Sequence, residues 1–180
     1  LTALSLMKEI GDIQNITAEL DSGLRIYGEE FEKDGTYSLL HDGTHLVDIV
    51  QFLLRNGTDS QILKNPVVSG VHKDEKGIVR NFSAHYSHVD SKFGKIPEIT
   101  LKMSGRSKFF EFRIEILGTL GKIIVGNGIF EFYKRKESKL YTGFYSLTKQ
   151  KLKITKKTGY FSGMIQNAVD FLGGESELVS

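Results

Sequence analysis

Apolar residues recur along the chain at two spacings, and each spacing predicts one kind of element. Residues 43–55 carry apolar side chains three and four positions apart, which is the spacing of one helix face, at Leu46, Ile49, Val50, Leu53 and Leu54. A short helix is predicted over residues 1–10, with Gly11 ending it, and a last helix over residues 163–172. The helix over residues 43–55 is the clearest element in the pattern.

Apolar and polar residues alternate one by one in six further stretches, which is the pattern of a strand with one buried face. These stretches are residues 16–21, 82–88, 99–104, 110–116, 130–133 and 151–154. Most connections between residues 76 and 135 are short and glycine-containing, so neighbouring strands are expected to run antiparallel. The order of elements predicts an α+β fold, a large mostly antiparallel β-sheet with helices packed on one face.

Length and composition narrow the class of protein. The 180 residues suit one domain, and the absence of cysteine excludes disulfides, cysteine zinc sites and thiol nucleophiles. No apolar run approaches the ~18 residues of a membrane span, and no secretory leader is visible. We therefore expect a cytoplasmic protein with no membrane partner. The chain begins at Leu1 without a methionine, which suggests a piece of a longer protein.

Charge is distributed unevenly. Residues 1–60 contain four Lys/Arg and eleven Asp/Glu, whereas residues 133–157 contain nine Lys/Arg and one Glu. This asymmetry is open to three interpretations: solvated strand faces, an anion or nucleic-acid surface, or complementary contact between the two ends of the molecule or between subunits. No RNA-binding or zinc-finger pattern accompanies the basic stretch, so no nucleic-acid partner is expected.

The densest group of candidate chemical residues lies where the loop over residues 24–41 enters the helix. His41, Asp42, His45 and Asp48 fall within eight residues, and His45 lies at the margin of the apolar stripe. A helix N-terminus disfavours a protonated imidazole, so a neutral histidine there can exchange a proton near pH 7. In the alternative interpretation Asp42, or Thr44, only caps the helix, Asp48 is solvated and His45 packs at the edge of the core.

The other histidines and glycines carry weaker signals. His41 and His45 have a metal-ligand spacing, but Gly43 disfavours a helix that reaches back to residue 41, so no metal site is predicted. His85 and His88 are an odd number apart, which places them on opposite faces of a regular strand. The glycine pair of residues 118–121 lacks the spacing of a phosphate loop and is expected to form a turn.

The stretch of residues 35–48 resembles the signature of the C-terminal domain of the glucose–fructose oxidoreductase/inositol dehydrogenase (Gfo/Idh/MocA) family. That signature is a glycine-rich loop, then Asp-x-Gly-x-His-x-x-Asp, then an amphipathic helix. The matching residues are Gly35, Leu39, Leu40, Gly43, His45 and Asp48, whereas Thr36, Tyr37 and His41 depart from the family pattern. The strand-turn-strand stretch of residues 116–123 and the opening and closing helices agree with the family in order and spacing.

The resemblance implies that residues 1–180 are the substrate-binding and oligomerisation half of an NAD(P)-dependent oxidoreductase. Its N-terminal Rossmann domain, which holds NAD or NADP in the family, would be absent from this chain. His45 would transfer the proton of a sugar or polyol hydroxyl, with His41, Asp42 and Thr44 binding neighbouring hydroxyls. Homo-oligomers would form through the open sheet face, where the resemblance places Glu111, Arg113 and Glu115. The departure at His41 leaves a non-catalytic binding or assembly module as an alternative function. The basic stretch leaves a nucleic-acid binder as a further alternative.

Overall fold

The computed structural model describes residues 2–22, 42–55, 61–105, 107–152, 169–170 and 172–174. In chain order the elements are α1 (Thr2–Met7), β1 (Ile13–Asp21), α2 (Gly43–Leu54), β2 (Val67–Lys73), β3 (Val79–Ser91), β4 (Gly94–Ser104), β5 (Glu111–Gly118), β6 (Gly121–Gly126), β7 (Phe130–Glu137) and β8 (Tyr145–Lys149). This composition confirms the α+β prediction.

The eight strands form one sheet in the order β2-β3-β4-β1-β5-β6-β7-β8. Every neighbouring pair is antiparallel except β1 and β4, which run parallel at the centre. A parallel pair needs a crossover connection rather than a tight turn, and the chain between β1 and β4 contains α2 and the β2–β3 hairpin. The sheet is therefore largely antiparallel, with one parallel contact beneath a helix.

One face of the sheet carries the core. A single row of paired residues crosses six strands, and all its members are buried: Tyr86, Ile99, Ile16, Ile116, Ile123 and Phe132. Both helices contribute to this core, α1 through Leu6 and Met7 and α2 through Leu46 and Val50. Because strand side chains alternate between faces, the period-2 pattern of the sequence becomes one continuous apolar surface.

The opposite face, which we call the polar face, carries the alternate residues. The neighbouring row there is His85, Thr100, Thr17, Glu115, Ile124 and Glu131. The two edge strands, β2 and β8, are exposed along their whole length. An edge strand is held by backbone hydrogen bonds to one neighbour, so it persists without burial of either face.

Several predictions about elements need correction or fall outside the described residues. Residues 151–152 lie outside the strands, because β8 precedes them and pairs with β7, so the strand predicted over 151–154 is wrong in its described half. Ile49, predicted for the buried stripe of α2, is 36% exposed. Of the predicted last helix only residues 169–170 and 172 are described as helical, and Val169 and Leu172 are exposed.

The predicted turns and the opening helix are confirmed more closely. α1 ends at Met7, and Gly11, at φ +75°, leads the chain into β1. Residues 119–120 join β5 to β6, and the glycines beside them are buried against backbone: a Cβ on Gly118 would lie 2.3 Å from the Ile10 carbonyl oxygen. These glycines therefore allow close packing of chain segments. No helix within the described ranges is long and apolar enough to cross a membrane.

Candidate functional site

The carboxyl ends of the parallel strands meet the beginning of α2. Asp21 pairs with Ser104 at the ends of β1 and β4, and the Ser22 amide donates to the Ser104 carbonyl at 2.8 Å. The buried Ser22 hydroxyl donates to the Asp42 carboxylate at the start of α2. One side chain thus ties the N-terminus of the helix to the end of the central strand.

Asp42 occupies the N-cap position of α2 but does not cap it as predicted. Its backbone is helical, with φ −81° and ψ −30°, and its side chain makes no capping hydrogen bond. The Ser22 hydroxyl holds the carboxylate instead, near the positive end of the helix dipole, where a negative charge is stabilised. The predicted substrate ligand Asp42 is therefore fixed in position by β1.

Close packing holds the first turn of α2 on the sheet. A Cβ on Gly43 would lie 2.8 Å from the Met103 sulfur of β4, so a larger residue would displace either the helix or that side chain. Leu46, three residues later, is fully buried. The signature glycine thus brings the helix N-terminus directly onto β4.

Thr44 and His45 lie between these anchors and are exposed, as is Asp48 one turn later. The sequence placed His45 at the margin of the apolar stripe, and the structure places it outside the buried surface. The exposed Ile49 follows His45 by four residues, so the two share one side of the helix. His41, the remaining predicted substrate ligand, lies outside the described residues.

The described residues do not gather metal ligands. No three of the His, Asp and Glu side chains in these ranges come close enough together to hold an ion. His85 contacts Ser69 and Thr100 on the polar face, whereas His88 is exposed and has a positive φ of 54°. The predicted regular alternation fails at His88. Before it the buried side chain is at an even-numbered position, Tyr86, and after it at an odd-numbered one, Val89.

Charged side chains on the polar face are paired with one another. Glu115 accepts from Arg113 at 2.9 Å and from Lys122 at 3.1 Å. Glu131 accepts from Lys149 and, at 2.6 Å, from the Tyr133 hydroxyl. The hydrogen bond from Lys149, followed by that from Tyr133, lowers the pKa of Glu131. The hydrogen bond between Tyr133 and Glu131 also raises the pKa of Tyr133. The face is thus a set of local charge pairs.

Among the described residues, an ion pair joins the basic stretch to the acidic end of the chain. Lys134 of β7 lies 2.6 Å from the Glu9 carboxylate just after α1. Arg135 stacks over the Tyr145 ring at 4.7 Å within the β7–β8 hairpin. Of the three interpretations of the charge asymmetry, contact between the two ends of the molecule therefore has direct support from one ion pair.

Ser22 is the site residue that sequence analysis missed. It lies twenty positions before Asp42, and neither periodicity nor motif spacing connects the two. Only the pairing of β1 with β4, which brings residue 22 under α2, makes the contact possible. The strand predicted over residues 16–21 ends where β1 ends, at Asp21, and gave no indication of this contact.

The fold of this chain is similar to that of the C-terminal domains of solved dehydrogenase structures. The structure of UDP-N-acetylglucosamine 3-dehydrogenase GnnA from Acidithiobacillus ferrooxidans matches 98% of this chain with TM-score 0.62 and 12% identity, over 50% of its own length. WlbA dehydrogenase from Bordetella pertussis, in complex with NADH and UDP-GlcNAcA, matches all of this chain (100%) with TM-score 0.61 and 12% identity, over 52% of its length.

An oxidoreductase from Agrobacterium radiobacter, in complex with NAD+, L-tartaric acid and magnesium, matches 98% of this chain with TM-score 0.58 and 14% identity, over 52% of its length. The chain therefore spans about half the length of these structures. Comparison with protein-family models and with curated protein sequences finds no match. At these identities the likeness establishes the fold, and it agrees with the family resemblance at that level.

Proposed function

We propose that this chain is the substrate-binding half of an NAD(P)-dependent oxidoreductase that acts on a sugar, a polyol or a related hydroxyl compound in the cytoplasm. Three structures of the same fold are dehydrogenases or oxidoreductases, and two of them hold a nicotinamide dinucleotide. The nucleotide is assigned to an N-terminal Rossmann domain outside this chain. The chain itself lacks the Gly-x-Gly-x-x-Gly fingerprint that cradles a pyrophosphate, so we assign NAD or NADP mainly to that domain.

The observation that carries the proposal is the position of His45. Its exposed side chain lies in the first turn of α2, above the carboxyl ends of β1 and β4. Ile49 on the next turn is also exposed, although the rest of the apolar stripe is buried. An imidazole beside an uncovered apolar side chain suits a surface that a second domain closes over a substrate.

The proposed chemistry divides the tasks between the two domains. Oxidation of a secondary alcohol removes a proton from oxygen and a hydride from carbon, and bound NAD(P) supplies the hydride acceptor. In this chain His45 accepts the hydroxyl proton, while Asp42 and Thr44 bind neighbouring hydroxyls, with Asp42 held by Ser22. His41 is proposed as a further substrate ligand.

We also propose that the protein is a homo-oligomer through the polar face. The central row of this face has partly buried charges already paired within the chain, such as Glu115 with Arg113 and Lys122. A charged surface whose ions are paired beforehand loses less on desolvation than one with isolated ions. Glu111, the third residue assigned to this interface, is exposed at the start of β5.

The test uses the parent protein with its N-terminal domain, assayed by NADH or NADPH absorbance over a panel of sugars and polyols. His45→Gln should lower kcat/KM about 10²- to 10⁴-fold, the usual contribution of a general base. His88→Asn is the matched control, because His88 is exposed at the far end of β3 and asparagine tolerates its positive φ. Unchanged kcat/KM in His45→Gln would contradict the assigned role.

The second candidate is a non-catalytic binding or assembly module, which the histidine at position 41 in place of the family's aspartate favours. In that case the parent protein forms stable oligomers but shows no turnover with any member of the panel. Light scattering together with the absorbance assay separates the two candidates.

A further inference from the structure

A chain of four side chains crosses three strands on the polar face. Ser69 Oγ of β2 lies 2.8 Å from His85 Nε2 of β3. His85 Nδ1 lies 3.2 Å from Thr100 Oγ1 of β4, and the Thr100 hydroxyl donates to Glu98 Oε1 at 3.3 Å. The two strand pairings make the row: Ser69 lies diagonal to His85, and His85 lies directly opposite Thr100.

An ionised Glu98 and a neutral His85 ring together set the direction of the hydrogen bonds in this chain. An ionised Glu98 can only accept hydrogen bonds, so the Thr100 hydroxyl donates its one hydrogen bond to Glu98. Thr100 Oγ1 must then accept from His85 Nδ1–H, which leaves Nε2 of the neutral ring without a proton. Nε2 is therefore the acceptor, and the Ser69 hydroxyl is the donor. The bonds run in one direction, from the serine to the glutamate.

We propose that Ser69 is a nucleophile with His85 as its general base and that this face reacts with activated carboxylic esters. A serine hydroxyl that donates to an unprotonated imidazole nitrogen, with the other ring nitrogen held by a third group, is the arrangement that activates serine. Thr100, buried to 7% exposure, is a positioning residue that fixes the ring and its tautomer. This activity is separate from the chemistry assigned to His45.

The proposed reaction conserves atoms and charge. Ser69 Oγ attacks the ester carbonyl carbon while its proton passes to His85 Nε2. The bond from carbon to the leaving oxygen breaks, and the alcohol departs with the proton from Nε2. Water then attacks the acyl-serine with His85 again as base, which releases the carboxylic acid and restores the hydroxyl.

The surroundings of Ser69 give a substrate access, because β3, β4 and β1 separate its strand from β5, which carries the residues assigned to the oligomer interface. Ser69 is exposed on the edge strand β2, and the next residue, Gly70, has φ +60° with no atom within 4 Å of a Cβ position. The β2–β3 register shifts after Ser69, so the ladder is irregular at Gly70. A cavity of about 340 Å³ is lined by Gly70, the next residue along the chain, and by Ser83, the cross-strand partner of Ser69. Because both residues adjoin Ser69, we assign this cavity to the acyl group.

The first test treats the whole 180-residue chain, at dilute concentration, with an alkyl fluorophosphonate. In the trapping step the Oγ–P bond forms, the P–F bond breaks, fluoride leaves and the serine proton passes to His85. Peptide mass spectrometry should show Ser69 labelled about 10²-fold faster than Ser87, an exposed serine on the same strand as His85. His85→Gln should reduce the Ser69 rate to that of Ser87. Equal rates in the unmodified chain, or a fast rate that survives His85→Gln, would overturn the proposal.

The second test begins with the unmodified chain, so its first result does not depend on whether a variant folds. Nitrogen-15 chemical shifts of neutral His85 should show a protonated Nδ1 and an unprotonated Nε2. In Thr100→Val, a variant of the same shape, this tautomer preference and the fast labelling of Ser69 should be lost together. A protonated Nε2 in the unmodified chain would remove the base and with it the proposal.

Discussion

Ile123 and Ile124 are neighbours on β6, and both are buried, at 0% and 7% exposure. Ile123 points into the core between Ile116 and Phe132, beneath the helices. Ile124 points to the polar face, where its cross-strand partners are Glu115 and Glu131. The same residue type is therefore buried by apolar packing on one face and by charged side chains on the other.

The comparison shows that burial arises in two physically different ways in one sheet. On the core face, apolar side chains lose contact with water because α1 and α2 cover them. On the polar face, the cross-strand neighbours of Ile124 are Glu115 and Glu131, both paired with basic side chains, and the aliphatic stems of charged side chains can cover apolar surface while their heads stay in water. We therefore expect the packing around Ile123 to be the more rigid of the two.

The largest expected difference between the faces comes from truncation of these two isoleucines. Ile123→Ala should lower the free energy of unfolding by about 2–5 kcal/mol, because a closed core keeps the cavity. Ile124→Ala should cost about 1–2 kcal/mol, since the charged stems above it can collapse or admit water. Urea unfolding of both variants measures this, and equal losses would show that the two faces are packed alike.

A smaller loss of stability is expected where a glycine of the sheet packs against the backbone of another segment. Gly118→Ala should cost about 1–3 kcal/mol, because the new Cβ would lie 2.3 Å from the Ile10 carbonyl oxygen, which cannot move without displacing the chain after α1. Gly43→Ala is the control, because its Cβ meets the flexible Met103 side chain. Thermal unfolding of the two should rank Gly118→Ala as the less stable, and the reverse order would refute the argument from backbone contact.

The smallest effect concerns the charge pairs of the polar face and depends on pH. The hydrogen bonds from Lys149 and Tyr133 lower the pKa of Glu131 below its ordinary 4.5, so the folded state binds a proton less readily than the unfolded state. The stabilisation from Glu131 is present above that value and is lost as pH falls through the lowered pKa. Urea midpoints between about pH 6 and 2 should therefore fall less steeply in Glu131→Gln.

The exposed Glu111 provides the matched substitution for this pH series, since it lies at the start of β5 and no side-chain hydrogen bond or ion pair of Glu111 is found among the described residues. Glu111→Gln should leave the acid limb of the curve as in the unmodified chain. If both variants reduce the pH dependence of the urea midpoint equally, the cause is the change in net charge and not the loss of the Glu131 contacts.

The spacing of apolar residues predicted most helices and strands. It failed where pairing with a distant segment decides the structure. α2 and the strands containing Ile99, Ile116 and Phe132 were predicted because burial of one face imposes a period on the sequence. β2 and β8 were missed because all their residues are exposed, so their pairing with β3 and β7 leaves no such period. The alternation in β3 was predicted as regular, and the positive φ of His88 interrupts it.

The candidate site divides in the same way. The motif around Gly43 and His45 was recognisable from its spacing, and the helix begins where that motif predicts. The contact that holds Asp42 comes from Ser22, and the contact that holds Gly43 comes from Met103, both distant in sequence. The group of Ser69, His85, Thr100 and Glu98 likewise forms only through strand register.

By itself the sequence determined α2, the alternation of β1, β3, β4, β5 and β7, and the helix start that carries the imidazole. Those properties follow from spacing along the chain, because a helix or strand turns its side chains at a fixed period. Only the tertiary structure decided that β1 and β4 lie side by side, that Ser22 holds Asp42, and that Ser69 meets His85. Contacts of this kind depend on strand order and register, where a shift of one residue moves every side chain to the other face.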